Sequence, residues 1–167
     1  MNVVFLNKLI HFLVLVLIQV LVLNHIHLFG VATPLLYVYF ILNFSYNYPR
    51  WASMLWAFIM GIIIDIFSNT PGIASASLTL LAAIQPHILR PFIMHDDTSD
   101  IEPNITVLTY SRYIGFASIM TFIYSIVFFT LEMFSFFNIV EWISCVIGST
   151  VLTIALILVI ERMRSRL

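Results

Sequence analysis

One formal charge stands inside an apolar run of this chain rather than at its edge: Asp65, in the stretch Gly61-Ile62-Ile63-Ile64-Asp65-Ile66-Phe67-Ser68-Asn69-Thr70-Pro71-Gly72. A carboxylate in lipid at mid-helix costs about 2.5–3.5 kcal/mol, less near the interface, so it is expected to face a cavity, a partner or the interior of a bundle. Four-residue steps toward the N-terminus reach Gly61, Ala57 and Ser53, which puts three small residues on the helix stripe that ends at the aspartate. That stripe is expected to meet another helix closely. Two readings of Asp65 stay open: a buried polar or substrate contact at the outer mouth of a bundle, or helix packing in which residues 68–72 cap the next helix.

Other groups with chemical potential are sparser. His25 and His27 form an H-x-H pair that can ligate a metal, but no third ligand lies near in sequence, and interfacial histidines are the simpler reading. His87, between Pro86 and Pro91, marks a helix end. The one cysteine, Cys145, excludes an intrachain disulfide and a cysteine-based zinc site. The chain has no Ser-His-Asp order, no H-E-x-x-H, no phosphate-binding glycine loop and no paired intramembrane carboxylates, so an enzyme is disfavoured and no cofactor is expected. Asn104-Ile105-Thr106 matches a glycosylation sequon, but the topology derived below puts it on the cytoplasmic side, where it is not used.

The elements that position these residues follow from composition. Of 167 residues, 62% are hydrophobic and 9% charged, and the mean hydropathy is +1.07. A soluble domain carries about 25% charged residues, so this chain belongs in a bilayer. A net charge of -1 offers no basic field for nucleic acid. Apolar runs at 9–23, 28–44, 51–69, 72–89, 113–131 and 139–160 predict six transmembrane helices in one bundle spanning 1–167. At roughly 20 residues per span, only about 47 residues remain for loops and tails, too few for an extramembrane catalytic domain. The first run is read as a retained helix rather than a signal peptide, because no small-residue cleavage pattern follows Leu23.

Orientation comes from the basic residues. With the N-terminus inside, Lys8, Arg50, Arg90, Arg112, Arg162, Arg164 and Arg166 all fall on the cytoplasmic side, and the outer breaks hold none. The expected topology is N-in, C-in. The connector 90–112 holds Asp96, Asp97, Asp100 and Glu102; it is read as a solvated link, with a cytoplasmic contact or cation site as the alternative. Pro34 is expected to kink the second helix, while the tyrosines and tryptophans of 37–56 suit the inner interface. Ala74, Ser75, Ala76, Ser77, Thr79, Ala82 and Ala83 surround much of the fourth helix and mark it as central, with smaller steps at Ser144/Gly148 and Gly115/Ser118.

The length, the near absence of loops and the segment GIIIDIFSNTPGIASASLTLLA at 61–82 resemble the rod shape-determining protein MreD family, with Gly61, Asp65, Pro71 and Gly72 at the places of its signature. The resemblance implies a non-enzymatic scaffold of the bacterial inner membrane that serves cell elongation. Its implied partners are the bitopic protein MreC, the peptidoglycan polymerase RodA with its transpeptidase and, indirectly, the actin-like MreB filament. It also implies likeness in fold to the substrate-binding membrane subunits of energy-coupling-factor transporters, which supplies a rival: a small-molecule site at the outer mouth.

The two classes ask for different surfaces. A ligand pocket needs several convergent polar groups, and the outer half offers Asp65, Asn69, Gln19, Asn24 and Glu141. A scaffold needs an apolar groove for a partner helix, and Phe116, Phe122, Phe128 and Phe129 of the fifth helix are the expected wall.

Overall fold

The computed structural model describes residues 3–23, 33–93, 103, 108–134 and 138–164. Among them the chain is all-helical: α1 Val3–Leu21, α2 Val38–Leu42, α3 Arg50–Ser68, α4 Ile73–Leu89, α5 Tyr110–Met133 and α6 Ile139–Arg164, with a 3-10 turn at Arg90–Phe92. Three of these, α3, α5 and α6, are long and apolar enough to cross a membrane, which marks a membrane-embedded protein. The apolar helix of α1 over Leu6–Leu21 is shorter, and α4 has 17 residues.

Each helix boundary has a local cause. Pro49 lies just before α3 in extended conformation, where its missing N–H costs nothing. Asn69 ends α3 with φ 57° and ψ 36°, left-handed values that asparagine tolerates better than most residues. Gly72, at φ 84°, then starts α4, and Pro86 occupies its last turn. Along α3 the sides divide with helical period: Ala57, Met60, Gly61 and Ile64 face inward, while Phe58, Ile59, Ile62 and Ile66 face outward onto what a bilayer would cover.

α3 and α4 form the tightest antiparallel pair, α5 lies between α4 and α6, and α1 flanks α3. Tyr113, Phe116, Met120 and Tyr124 of α5 sit fully inside, beside Met60 of α3 and Leu78 and Leu81 of α4. Three contacts bring helix ends together: Tyr39 with Glu161, Arg164 with Asn43, and Gln85 with the Phe44 carbonyl. Lys8 stacks over the Tyr48 ring, and Phe92 meets Phe116 at the start of α5. One end of the bundle therefore gathers Lys8, Arg50, Arg90, Arg112, Arg162 and Arg164, and Asp65, Glu132 and Glu141 lie toward the other.

Three expectations need correction. The second apolar run, read as a helix over 28–44, is not one over its described part: 33–35 has no regular structure, a turn follows at 36–37, and α2 contributes five residues. The phenylalanine groove is not a surface, since Phe116, Phe128 and Phe129 are buried in the core and only Phe122 is exposed. The fifth helix has neighbours on two sides, and Phe116, Phe128 and Phe129 lie on those sides and face protein. Asp65 is also not the lone buried charge: α6 continues four residues beyond the expected end, and Glu161 is 1% exposed. Asn24, His25, His27, Asp96, Asp97, Asp100, Glu102, Asn104 and Arg166 lie outside the described residues.

Candidate functional site

Asp65 is held in the last turn of α3 by the helix that follows. Its Oδ1 accepts from the backbone N–H of Ala74 at 2.8 Å and from the Thr70 hydroxyl at 3.0 Å, and its Oδ2 accepts from the Ser75 N–H at 2.9 Å. Ala74 and Ser75 are the second and third residues of α4, whose N–H groups have no partner inside the helix. Position 72, where a side-chain cap would normally stand, is a glycine, so the capping oxygen comes from the preceding helix instead. The carboxylate also faces the positive end of the α4 dipole. A buried charge is thus matched by three donors, as a low-dielectric site demands.

This geometry needs the helices to be close, and Gly61 provides that. A Cβ built on Gly61 would run into the Cα of Ser75, with the Ser75 nitrogen at 2.6 Å and the Ala74 carbonyl carbon at 2.9 Å. All three are backbone atoms, which no rotamer can move aside. Ala57 is fully buried one turn earlier, and Ser53 is buried with its hydroxyl donating to the Arg50 carbonyl at 2.9 Å. The stripe Ser53-Ala57-Gly61-Asp65 is therefore the α3 side of the α3–α4 seam. Pro71 and Gly72 are exposed at the connecting turn, next to a shallow recess of about 350 Å³ that Asp65, Asn69 and Ser75 help to line.

A second polar assembly surrounds the irregular segment after α1. The Thr33 N–H donates to Ser149 Oγ at 3.0 Å, the Leu35 N–H to Thr153 Oγ1 at 3.0 Å and the Leu36 N–H to Gln19 Oε1 at 3.1 Å, while Gln19 Nε2 donates to the Pro34 carbonyl at 2.9 Å. Buried backbone outside a helix has to be satisfied by other protein groups, and here α1 and α6 supply the side chains. Pro34 accordingly ends up in the unwound segment, not in a kinked helix. Below it Tyr37 and Tyr124 share a 2.6 Å hydrogen bond, and Tyr39 donates to the buried Glu161 at 2.6 Å.

These residues escape motif reading because none belongs to a chemical signature. The signal that would find them is a four-residue column on α6, Cys145-Ser149-Thr153-Ile157-Glu161, which is buried throughout. The step at Ser144 and Gly148 lies one residue away, and Ser144 is exposed. Of the expected outer pocket groups, Gln19 holds backbone and also lines a recess, Asn69 caps α3 and lines the recess beside Asp65, and Glu141 is exposed, accepting from Asn138 at 2.8 Å.

A recess of about 210 Å³ opens between Gln19, Thr33, Tyr37, Ser68, Thr70 and Glu132. Among the described residues, no three histidine, cysteine, aspartate or glutamate side chains cluster to hold a metal. No protein-family model, curated protein or solved structure matches this chain. The arrangement offers packing, capping and polar support, with the Asp65 carboxylate already engaged by its three donors.

Proposed function

We propose that this chain is a scaffold of the MreD type: a multi-pass protein of the bacterial inner membrane with six spans, both termini cytoplasmic and no reaction of its own. In this reading it joins an MreC-like bitopic protein to a RodA-type polymerase and its transpeptidase, and through the former to MreB. The observation that carries the reading is the α3–α4 hairpin. The segment on which the resemblance rests, 61–82, forms the turn and facing halves of this hairpin, tied together by the bonds from Ala74 and Ser75 to Asp65, while Phe58, Ile59, Ile62 and Ile66 stay exposed along the α3 flank. A fixed apolar flank suits a single-span partner helix, whose association in lipid depends on close packing more than on hydrophobicity. The gathering of basic residues at one end supports cytoplasmic termini through the positive-inside tendency.

The recess by Gln19, Tyr37 and Glu132 favours the second reading, a small-molecule-binding subunit of an energy-coupling-factor type transporter, because polar groups from several helices converge there. Purification of the tagged chain from its native membrane in mild detergent, with mass spectrometry of the co-purifying proteins, separates the two. MreC-like and cell-wall synthesis proteins are the expected recovery. ATP-binding-cassette ATPases with a transmembrane coupling subunit would overturn the scaffold in favour of transport.

A further inference from the structure

At the basic end of the bundle a cavity of about 150 Å³ lies between the first four turns of α1, the end of α2 and the end of α6, lined by Asn7, Lys8, His11, Asn43 and Arg164 over an apolar floor that includes Phe40 and Phe44. Its donors are fixed in place. The Lys8 ammonium stands 3.6 Å from the centroid of the Tyr48 ring and 5.1 Å from that of Phe44. Arg164 Nη1 donates to Asn43 Oδ1 at 2.8 Å, and Asn43 Nδ2 in turn donates to the Tyr39 carbonyl at 2.9 Å. A guanidinium carries five N–H donors in a planar fork and serves several acceptors at once. Glu161, which accepts from the Tyr39 hydroxyl, is buried and is not among the residues that line the cavity. An ammonium and a guanidinium at one opening, with the Asn7 amide beside them, form the donor set that a phosphate group takes. The His11 ring is held through Nδ1 to the Asn7 carbonyl at 2.8 Å, and the Asn43 amide positions Arg164.

The surface beyond the opening tells which phosphate. The α1 face that starts with Asn7 and His11 continues at three- and four-residue steps as Val14, Ile18 and Val22, all exposed and all aliphatic. From His11 to Val22 this strip runs about 16 Å, close to half the hydrocarbon thickness of a bilayer. Polar donors at one end and an aliphatic track leading from them toward mid-membrane match an amphiphile, not a free ion.

We propose that this cavity holds the headgroup phosphate of an anionic phospholipid, with an acyl chain lying along Val14, Ile18 and Val22. The inference is independent of the scaffold reading and requires only that the chain lie in a bilayer. The test is native mass spectrometry of the full-length protein, delipidated in neutral detergent and titrated with dioleoylphosphatidylglycerol, dioleoylphosphatidylcholine or inorganic phosphate. One phosphatidylglycerol is expected to bind at least about fivefold more tightly than phosphatidylcholine, and Lys8→Gln to weaken it about fivefold, the effect of one basic residue at a lipid surface. Arg90→Gln, on the same end but outside the cavity, is expected to leave binding unchanged. Val14→Ser, which keeps the donors and interrupts the track, is expected to weaken phosphatidylglycerol. Equal affinity for the two lipids, unaltered binding in Lys8→Gln, or displacement of the lipid by millimolar inorganic phosphate would each overturn the assignment.

Discussion

Gly61→Ala is the sharpest probe of the α3–α4 seam, because it adds one methyl group where the structure has no room. The new Cβ would lie 2.6 Å from the Ser75 nitrogen and 2.9 Å from the Ala74 carbonyl carbon. Comfortable separation is about 3.5–4.0 Å, so the two helices must part locally by about 1 Å. The same backbone atoms carry the bonds to Asp65, now 2.8 and 2.9 Å long. A shift of that size stretches them to about 3.8 Å, beyond hydrogen-bond reach. Overpacking costs about 1–3 kcal/mol, and a hydrogen bond to a charged acceptor is worth about 1.5–3, so a loss of about 3 kcal/mol or more is expected. Reversible unfolding of the purified protein in mixed micelles by increasing denaturing detergent measures it. Gly115→Ala is the matched control: its Cβ would meet only the Phe92 ring, at 3.3 Å, and a ring can swing. The reasoning also requires coupling, with the double variant Gly61→Ala/Asp65→Asn losing less than the sum of the single losses, since the first change already breaks what the second removes. A Gly61→Ala protein as stable as the Gly115→Ala control would refute the close-approach argument.

Asp65→Ala leaves the buried Ala74 and Ser75 N–H groups without their acceptor and should destabilise by about 1–3 kcal/mol per orphaned group, measured in the same titration. It should also reduce co-purification of partners more than Asp97→Ala; equal, wild-type recovery with both would remove Asp65 from the assembly site. Gln19→Leu strands the Leu36 N–H and the Pro34 carbonyl, so it should cost about 1–3 kcal/mol per orphaned group, with faster amide exchange confined to 33–38. Protection there unchanged from wild type would show that Gln19 does not support the unwound segment. Gly72→Ala should cost about 1 kcal/mol through its φ of 84° alone, because nothing lies within 4 Å of the added Cβ; a loss as large as that of Gly61→Ala in the same titration would contradict this division between backbone strain and steric overlap.

Much of this architecture was legible in the residues themselves. The membrane class follows from 62% hydrophobic residues, since no soluble surface can be built from so few charges. The stripe from Ser53 to Asp65 reveals its partner-facing side because small residues at four-residue spacing share one helix face, a local regularity that requires no knowledge of the neighbour. The turn at 69–72 is likewise written in asparagine, proline and glycine, with Asn69 and Gly72 at the two positive φ angles.

Tertiary structure decided what hydropathy cannot register. An apolar run reads the same whether it is helical or unwound, and residues 33–37 unwind because Gln19, Ser149 and Thr153, up to 118 positions away, offer their N–H groups acceptors that a helix would otherwise provide. The phenylalanines of α5 carry no mark distinguishing lipid from protein, since both are apolar; the packing of α5 between α4 and α6 assigned Phe116, Phe128 and Phe129 to the core and left Phe122 outside. Glu161 sits beside arginines in a segment that looks like a polar helix end, and only the fold brings Tyr39 to its carboxylate and makes it interior. For Asp65 the chain showed that a charge needed a partner, and the return of α4 against Gly61 determined which atoms supply it. Period and propensity are properties of neighbours along the chain, whereas satisfaction of a buried polar group depends on what the fold carries to it from a distance.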